Sequence, residues 1–205
     1  MVGMDHKRIM RNLIMRNNFV FLNLLGIVFL FSQQSFAKTD TFKVYQQCPD
    51  DSGFHCDVIR EVDGKKEKYF KDVKESWIEQ VNQDYFKVKS SCGSPCQVTN
   101  FIGRNSKQDD VTDEFVAIDP KTNCLIETDT HKYKLTARQL KSNKVNTLAN
   151  LNSEIFKKID IYSFAPYRDF QRKSYFDQKG NLFLNYGYDE TDTQFVQKFP
   201  NPCKL

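Results

Sequence analysis

Ser91-Cys92-Gly93-Ser94-Pro95-Cys96 places two cysteines four positions apart, with glycine, serine and proline between them. Runs of strand character flank it, Tyr85 to Ser90 and Gln97 to Ile102. A thioredoxin-type redox centre sets Cys-x-x-Cys at a helix start, where the helix dipole lowers the thiol pKa. Here the spacing is one residue longer, Pro95 directly precedes the second cysteine, and a strand follows. A thiolate site for a soft metal such as copper would want histidine or methionine partners. A disulfide closing a turn accounts for Gly93 and Pro95 with no further ligand. Cys92 and Cys96 are therefore expected to form a structural staple, re-pairing with Cys124 being the other disulfide option. An envelope thiol oxidoreductase or metal carrier using Cys92 and Cys96 is the alternative function.

Working outward, the N-terminal end reads as a secretory leader. Phe19 to Phe31 is apolar apart from Asn23 and Gly26, basic residues precede it (Lys7, Arg8, Arg11, Arg16), and Ser35-Phe36-Ala37 follows. A basic region, an apolar run and small residues at a cleavage site make up a signal peptide. The run falls short of the ~20 apolar residues of a membrane span. Cleavage is expected after Ala37, leaving residues 38–205 as one domain with no stable membrane anchor. Met1, Met10 and Met15 are the competing start sites, and translation from Met10 or Met15 would give a leader of ordinary length.

Of 30 Lys and Arg and 26 Asp and Glu in the chain, the leader carries four and one, which leaves 26 and 25 in the remainder. The basicity thus belongs largely to the leader, and a charge-balanced domain gives no electrostatic case for a nucleic-acid partner. All four methionines lie in the leader, whereas Cys48, Cys56, Cys92, Cys96, Cys124 and Cys203 all lie after it. An even cysteine count in an exported chain reads as a disulfide framework, which places the protein in the periplasm or outside the cell. Cys48 and Cys56 bracket the turn Asp50-Asp51-Ser52-Gly53, and Cys203 is positioned to pin the C-terminus.

Strand pairs dominate the rest. Phe42 and Val44 alternate. Asp63-Gly64 between Cys56–Val62 and Lys65–Phe70 is a strong hairpin signal, because type I′ turns need positive φ. Phe115–Ile118 and Cys124–Thr128 pair across Asp119-Pro120-Lys121-Thr122-Asn123, and Ser174–Asp177 pairs with Leu182–Tyr188 across Gln178-Lys179-Gly180-Asn181. Asp72-Val73-Lys74-Glu75 has capping-box form, and Val73, Trp77, Ile78 and Val81 follow at helical spacing, which predicts a helix over 73–82 with Trp77 as core anchor. Residues 103–112 read as a polar loop, Tyr133–Leu140 as strand or helix, Val145–Ile155 as short helix or ordered loop, and Ile159–Phe164 as strand. The expected fold is mainly β: antiparallel hairpins forming a single sheet or sandwich, one or two short helices, disulfide-stapled. The hairpins share no motif at a fixed period, so nothing in them marks a repeat architecture.

For chemistry, the chain has no Gly-rich phosphate loop, no Gly-x-Ser-x-Gly and no His-Glu-x-x-His. After the leader only His55 and His131 remain; His55 and Cys56, adjacent on a strand, point to opposite faces and make a poor dyad. The acidic groups Asp109/Asp110/Asp113/Glu114 and Asp189/Glu190/Asp192 read as solvated surface. No catalytic residue, metal site or cofactor is assigned. Between Tyr162 and Tyr188 aromatics alternate with Arg168, Arg172 and Lys173, and Tyr and Arg are the residues enriched at protein-interface hot spots. Tyr167, Arg168, Phe170, Arg172 and Lys173 are the expected partner-binding residues. The expected function is an exported, non-enzymatic binding protein for a protein partner, of the kind that inhibits or confers immunity to an envelope enzyme.

Overall fold

A computed structural model describes residues 41–53, 55–74, 76–91, 97–105, 109–157, 166–186 and 195–204. Fourteen strands in this part make four antiparallel meanders, each built from strands consecutive in sequence. The first sheet holds β1 (Phe42–Gln47), β2 (Cys56–Val62) and β3 (Lys65–Val73). The second holds β4 (Ser76–Gln80), β5 (Tyr85–Ser91), β6 (Gln97–Gly103) and β7 (Asp110–Thr112). The third holds β8 (Phe115–Asp119), β9 (Cys124–Asp129), β10 (Lys134–Gln139) and β11 (Asn146–Asn150). Two single-turn helices follow, α1 (Glu154–Lys157) and α2 (Tyr167–Phe170), then the fourth sheet of β12 (Tyr175–Phe176), β13 (Leu182–Tyr186) and β14 (Phe195–Phe199). The chain is thus mainly β, antiparallel and disulfide-linked, with its hairpins distributed over four sheets.

The sheets pack face to face in chain order. Phe42, Val44 and Val58 of the first meet Val88 and Ile102 of the second, with Phe42 and Phe86 edge to face at 5.0 Å. Phe101 on the other side of the second sheet meets Phe115, Leu125 and Leu140 of the third. The far face of the third carries Val116, Ala117, Ile126, Leu135 and Ala137 against Phe156, Tyr167 and Phe170 of the helices and Leu182 and Leu184 of the fourth. This explains two kinds of strand sequence. β1, with one face open, alternates buried and exposed residues, whereas β9 opens with three consecutive buried residues because both its faces are covered. In β8 the register slips between Phe115 and Ala117, which turns Phe115 toward the second sheet and both Val116 and Ala117 toward the helices.

Polar ties hold the stack. Asn82 Nδ2, in the β4–β5 turn, donates to Pro120 O at 2.8 Å and Asn123 Oδ1 at 2.6 Å. Lys121 Nζ, in the β8–β9 turn, donates to Gln178 O at 3.0 Å in the β12–β13 turn. Disulfides join Cys48 to Cys56 and Cys124 to Cys203. The first closes the turn after β1; the second fixes the chain beyond β14 to the start of β9.

The helix expected over 73–82 does not form. Asp72 adopts φ +57, incompatible with the extended backbone that an N-cap needs, and its carboxylate contacts His55 Nδ1. β3 ends at Val73, and β4 pairs with β5 from Ser76↔Ser90 to Gln80↔Phe86. With strand alternation, Ile78 turns into the core between the first two sheets while Trp77 faces the other way and is 50% exposed. Tyr133–Leu140 contains β10, Val145–Ile155 divides into β11 and the start of α1, and the polar loop supplies β7 as an edge strand. β14 was not anticipated. The strand expected at Ile159–Phe164 and the Cys92–Cys96 turn lie outside the described residues.

Candidate partner-binding surface

One face of the second sheet looks toward the third, and register puts Trp77, Lys89, Thr99 and Thr112 in a row across it, with Glu79, Lys87, Phe101 and Asp110 in the next. The third sheet covers the second of these rows through the Phe101–Phe115 contact. Within it Lys87 Nζ lies 2.7 Å from Glu79 Oε2 and 5.0 Å from the Phe115 ring centre. The Trp77–Lys89 end meets instead the turn that follows α2. There Gln171 Oε1 accepts from Lys89 Nζ at 3.5 Å and from Gln97 Nε2 at 3.4 Å. Lys89 Nζ also stands 5.7 Å from the Trp77 ring centre.

Core packing and the backbone hold that turn in place. Phe170 is fully buried, edge to face with Phe156 at 6.3 Å and close to Tyr186. Gln171 N donates to Tyr167 O at 2.9 Å and Ser174 N to Phe170 O at 2.9 Å. Asn185 Nδ2 donates to Lys173 O at 2.8 Å. With its apolar side anchored, the segment presents Arg168 and Arg172 to solvent. Their charges reach Lys89: burial first, then Lys87, Arg168 and Arg172, holds its ammonium below the ordinary lysine pKa.

Of the five residues expected to bind a partner, Arg168 and Arg172 are at this surface, and Lys173 is half-buried beside it. Tyr167 and Phe170 are 6% and 0% exposed, so they serve as the core footing of the turn and offer almost no contact area. Trp77, Lys89, Gln97 and Gln171 complete the surface. The signal for Trp77 was present: read as a strand, Ser76-Trp77-Ile78-Glu79 puts Trp77 beside charged Glu79 and opposite Ile78.

Asp110 and Glu114, two of the acidic candidates, are engaged in ion pairs and hydrogen bonds. Arg138 Nε lies 2.9 Å from Glu127 Oε1 and its Nη1 2.5 Å from Asp110 Oδ1, all three side chains being largely buried. Glu114 accepts from Thr128 Oγ1 and, at 3.0 Å, from Thr130 N. Open clefts of 540 and 530 Å³ flank Arg138, the first including His131 in its lining and the second Asp109. Asp109 is held above its ordinary pKa by burial, while a hydrogen bond from Tyr69 pulls the other way. Among the described residues no three His, Cys, Asp or Glu side chains gather as a metal site, and none of the helices is long and apolar enough to cross a membrane. Asp189, Glu190 and Asp192 lie outside the described residues.

Fold and surface together define a class: a disulfide-linked antiparallel β protein with a basic–aromatic face at one end of its second sheet. No family model matches the chain, no curated protein is significantly similar to it, and no solved structure matches it.

Proposed function

We propose that the chain is an exported binding protein, periplasmic or secreted, that acts by holding a protein partner, as an inhibitor or immunity-type protein acting on an envelope enzyme. The observation that carries this reading is the pairing of a half-exposed tryptophan with Lys89, Arg168 and Arg172 on one surface. Trp and Arg dominate interface hot spots, since each brings large contact area and a directional polar group. A well-packed footing under the surface lowers the ordering cost of association. The disulfides fit an oxidising compartment.

The test is affinity capture from cell-envelope extracts with the wild-type chain, Trp77→Ala and Arg168→Ala/Arg172→Ala, followed by assay of the captured enzyme. The expected result is one partner whose retention falls at least tenfold in both variants and whose activity the wild-type chain inhibits. Retention that is indifferent to both variants removes this surface from the function.

A further inference from the structure

Lys89 sits in an unusual electrostatic setting. Among the described residues, the groups facing it are Trp77 and Glu79 from β4, Lys87 from β5, Gln97 and Thr99 from β6, and Arg168, Gln171 and Arg172 from the α2 segment. The carboxylate in that set, Glu79, is engaged by Lys87 at 2.7 Å. Lys89 itself meets a neutral amide oxygen at 3.5 Å and an indole face. That oxygen is shared with Gln97, and both contacts are at the long limit for a hydrogen bond. Thr99, next to Lys89 in register, is 1% exposed and its hydroxyl has no partner. A half-buried cation with like charges around it and only weak acceptors is costly, because burial penalises charge unless an opposite charge compensates.

We infer that Lys89, flanked by Arg168 and Arg172, is a carboxylate receptor, and that the partner docks through a short acidic segment rich in Asp and Glu. The inference rests on the binding reading above and supplies its chemistry. A carboxylate at Lys89 would replace the weak Gln171 contact with a charge-assisted bond. The exposed face of Trp77 gives the same segment an apolar surface beside its acidic groups. The cations form one cluster, which suits a short acidic peptide; a polyanion backbone draws its affinity from many cations along a track.

The chain has a single tryptophan, so intrinsic fluorescence reports on Trp77 alone. The experiment titrates the full domain with a short oligoglutamate peptide, a neutral Gly-Ser peptide, inorganic phosphate and heparin. Expected is a saturable change in Trp77 emission with oligoglutamate, weakened roughly tenfold or more in Lys89→Gln, retained in Lys89→Arg, and suppressed by salt. Circular dichroism melts of the two variants verify that both remain folded. Absence of saturation, an equal response to the neutral peptide, unchanged affinity in Lys89→Gln, or tighter binding of phosphate or heparin would each overturn the inference. Captured partner that depends on Trp77 and not on Lys89 also overturns it while leaving the binding reading intact. Lys89-dependent oligoglutamate binding with no envelope partner does the reverse: the receptor stands and the proposed function falls.

Discussion

At Arg138 two carboxylates from different strands converge on one guanidinium that solvent barely reaches. Asp110 belongs to the second sheet and Glu127 to the third, so the triad is a clamp between sheets. Arg138→Met leaves both acids without their cation and is expected to cost about 3–5 kcal/mol in urea denaturation. Asp109 behaves differently. Its raised pKa means the unfolded chain loses this proton first as pH rises, so stability falls across the window between the ordinary value of 3.8 and the higher folded value. Asp109→Asn is therefore expected to raise the melting temperature at neutral pH and to leave it unchanged in acid below that window. Lys89 has the opposite sign pattern: its folded pKa lies below the ordinary 10.5, the unfolded state binds the proton more tightly, and stability rises with pH up to that value. Lys89→Gln should match or exceed the wild-type melting temperature at neutral pH, with the difference closing in alkali. A residue that the fold does not need is what a binding role leaves behind. None of these settings was legible in sequence, because each depends on which strands face each other across a sheet interface. Asp109 and Asp110 are adjacent in the chain, yet one hydrogen-bonds to Tyr69 of β3 and the other clamps Arg138 of β10.

Between Asp72 and Gln80 two periodicities fit the same letters. Val73, Trp77, Ile78 and Val81 match a helix, and Trp77/Glu79 against Ile78 match a strand; the positive φ of Asp72 decides for the strand. Trp77→Ala is accordingly expected to change stability by less than about 0.5 kcal/mol, the surface range, whereas Phe101→Ala, in the core between the second and third sheets, should cost about 3–5 kcal/mol. Iodide should quench Trp77 emission more effectively than caesium, because the Lys89 ammonium stands over the ring with the charges of Arg168 and Arg172 near it; the reverse order would contradict the surface geometry. Hairpins were the legible part of the fold. Asp63-Gly64, Asp119–Asn123 and Gln178–Asn181 all turn where expected, since the turn chemistry is local. At the last two, the Oδ1 atoms of Asp119 and Asp177 accept the backbone N–H two residues on, at 3.0 and 2.9 Å. What joins hairpins into sheets is not local. β7 is three residues of Asp-Val-Thr, and β14, between Gln194 and Pro200 in sequence, carries an exposed Val196. Neither has the pattern of a buried strand, because each is an edge.

At the scale of the molecule, sheets stack in the order of synthesis and the two covalent links among the described residues differ greatly in span. Cys48–Cys56 closes 8 residues and Cys124–Cys203 closes 79. Chain-entropy arguments put the short link at about 2–3 kcal/mol and the long one at about 4–5 kcal/mol. The Cys124→Ala/Cys203→Ala chain is thus expected to lose more stability than Cys48→Ala/Cys56→Ala in parallel denaturation curves, and equal losses would count against this ranking. The pairing Cys124–Cys203 could not be read from spacing; the expectation that Cys203 ties down the C-terminus could, since a tail with two prolines has few other anchors.

The same long link carries a consequence for assembly. A chain made N-terminus first can complete each meander and lay it on the one before, and the contacts of Lys89 and Gln97 with Gln171 follow once the α2 segment is made. Cys124 has a long wait for its partner, because its own sheet ends at Asn150 while Cys203 lies beyond β14. Of these two bonds Cys124–Cys203 is therefore expected to close second, and pulse-labelled chains should acquire Cys48–Cys56 while Cys124 is still a free thiol. An oxidant acting on the growing chain would find Cys124 before its mate has been made.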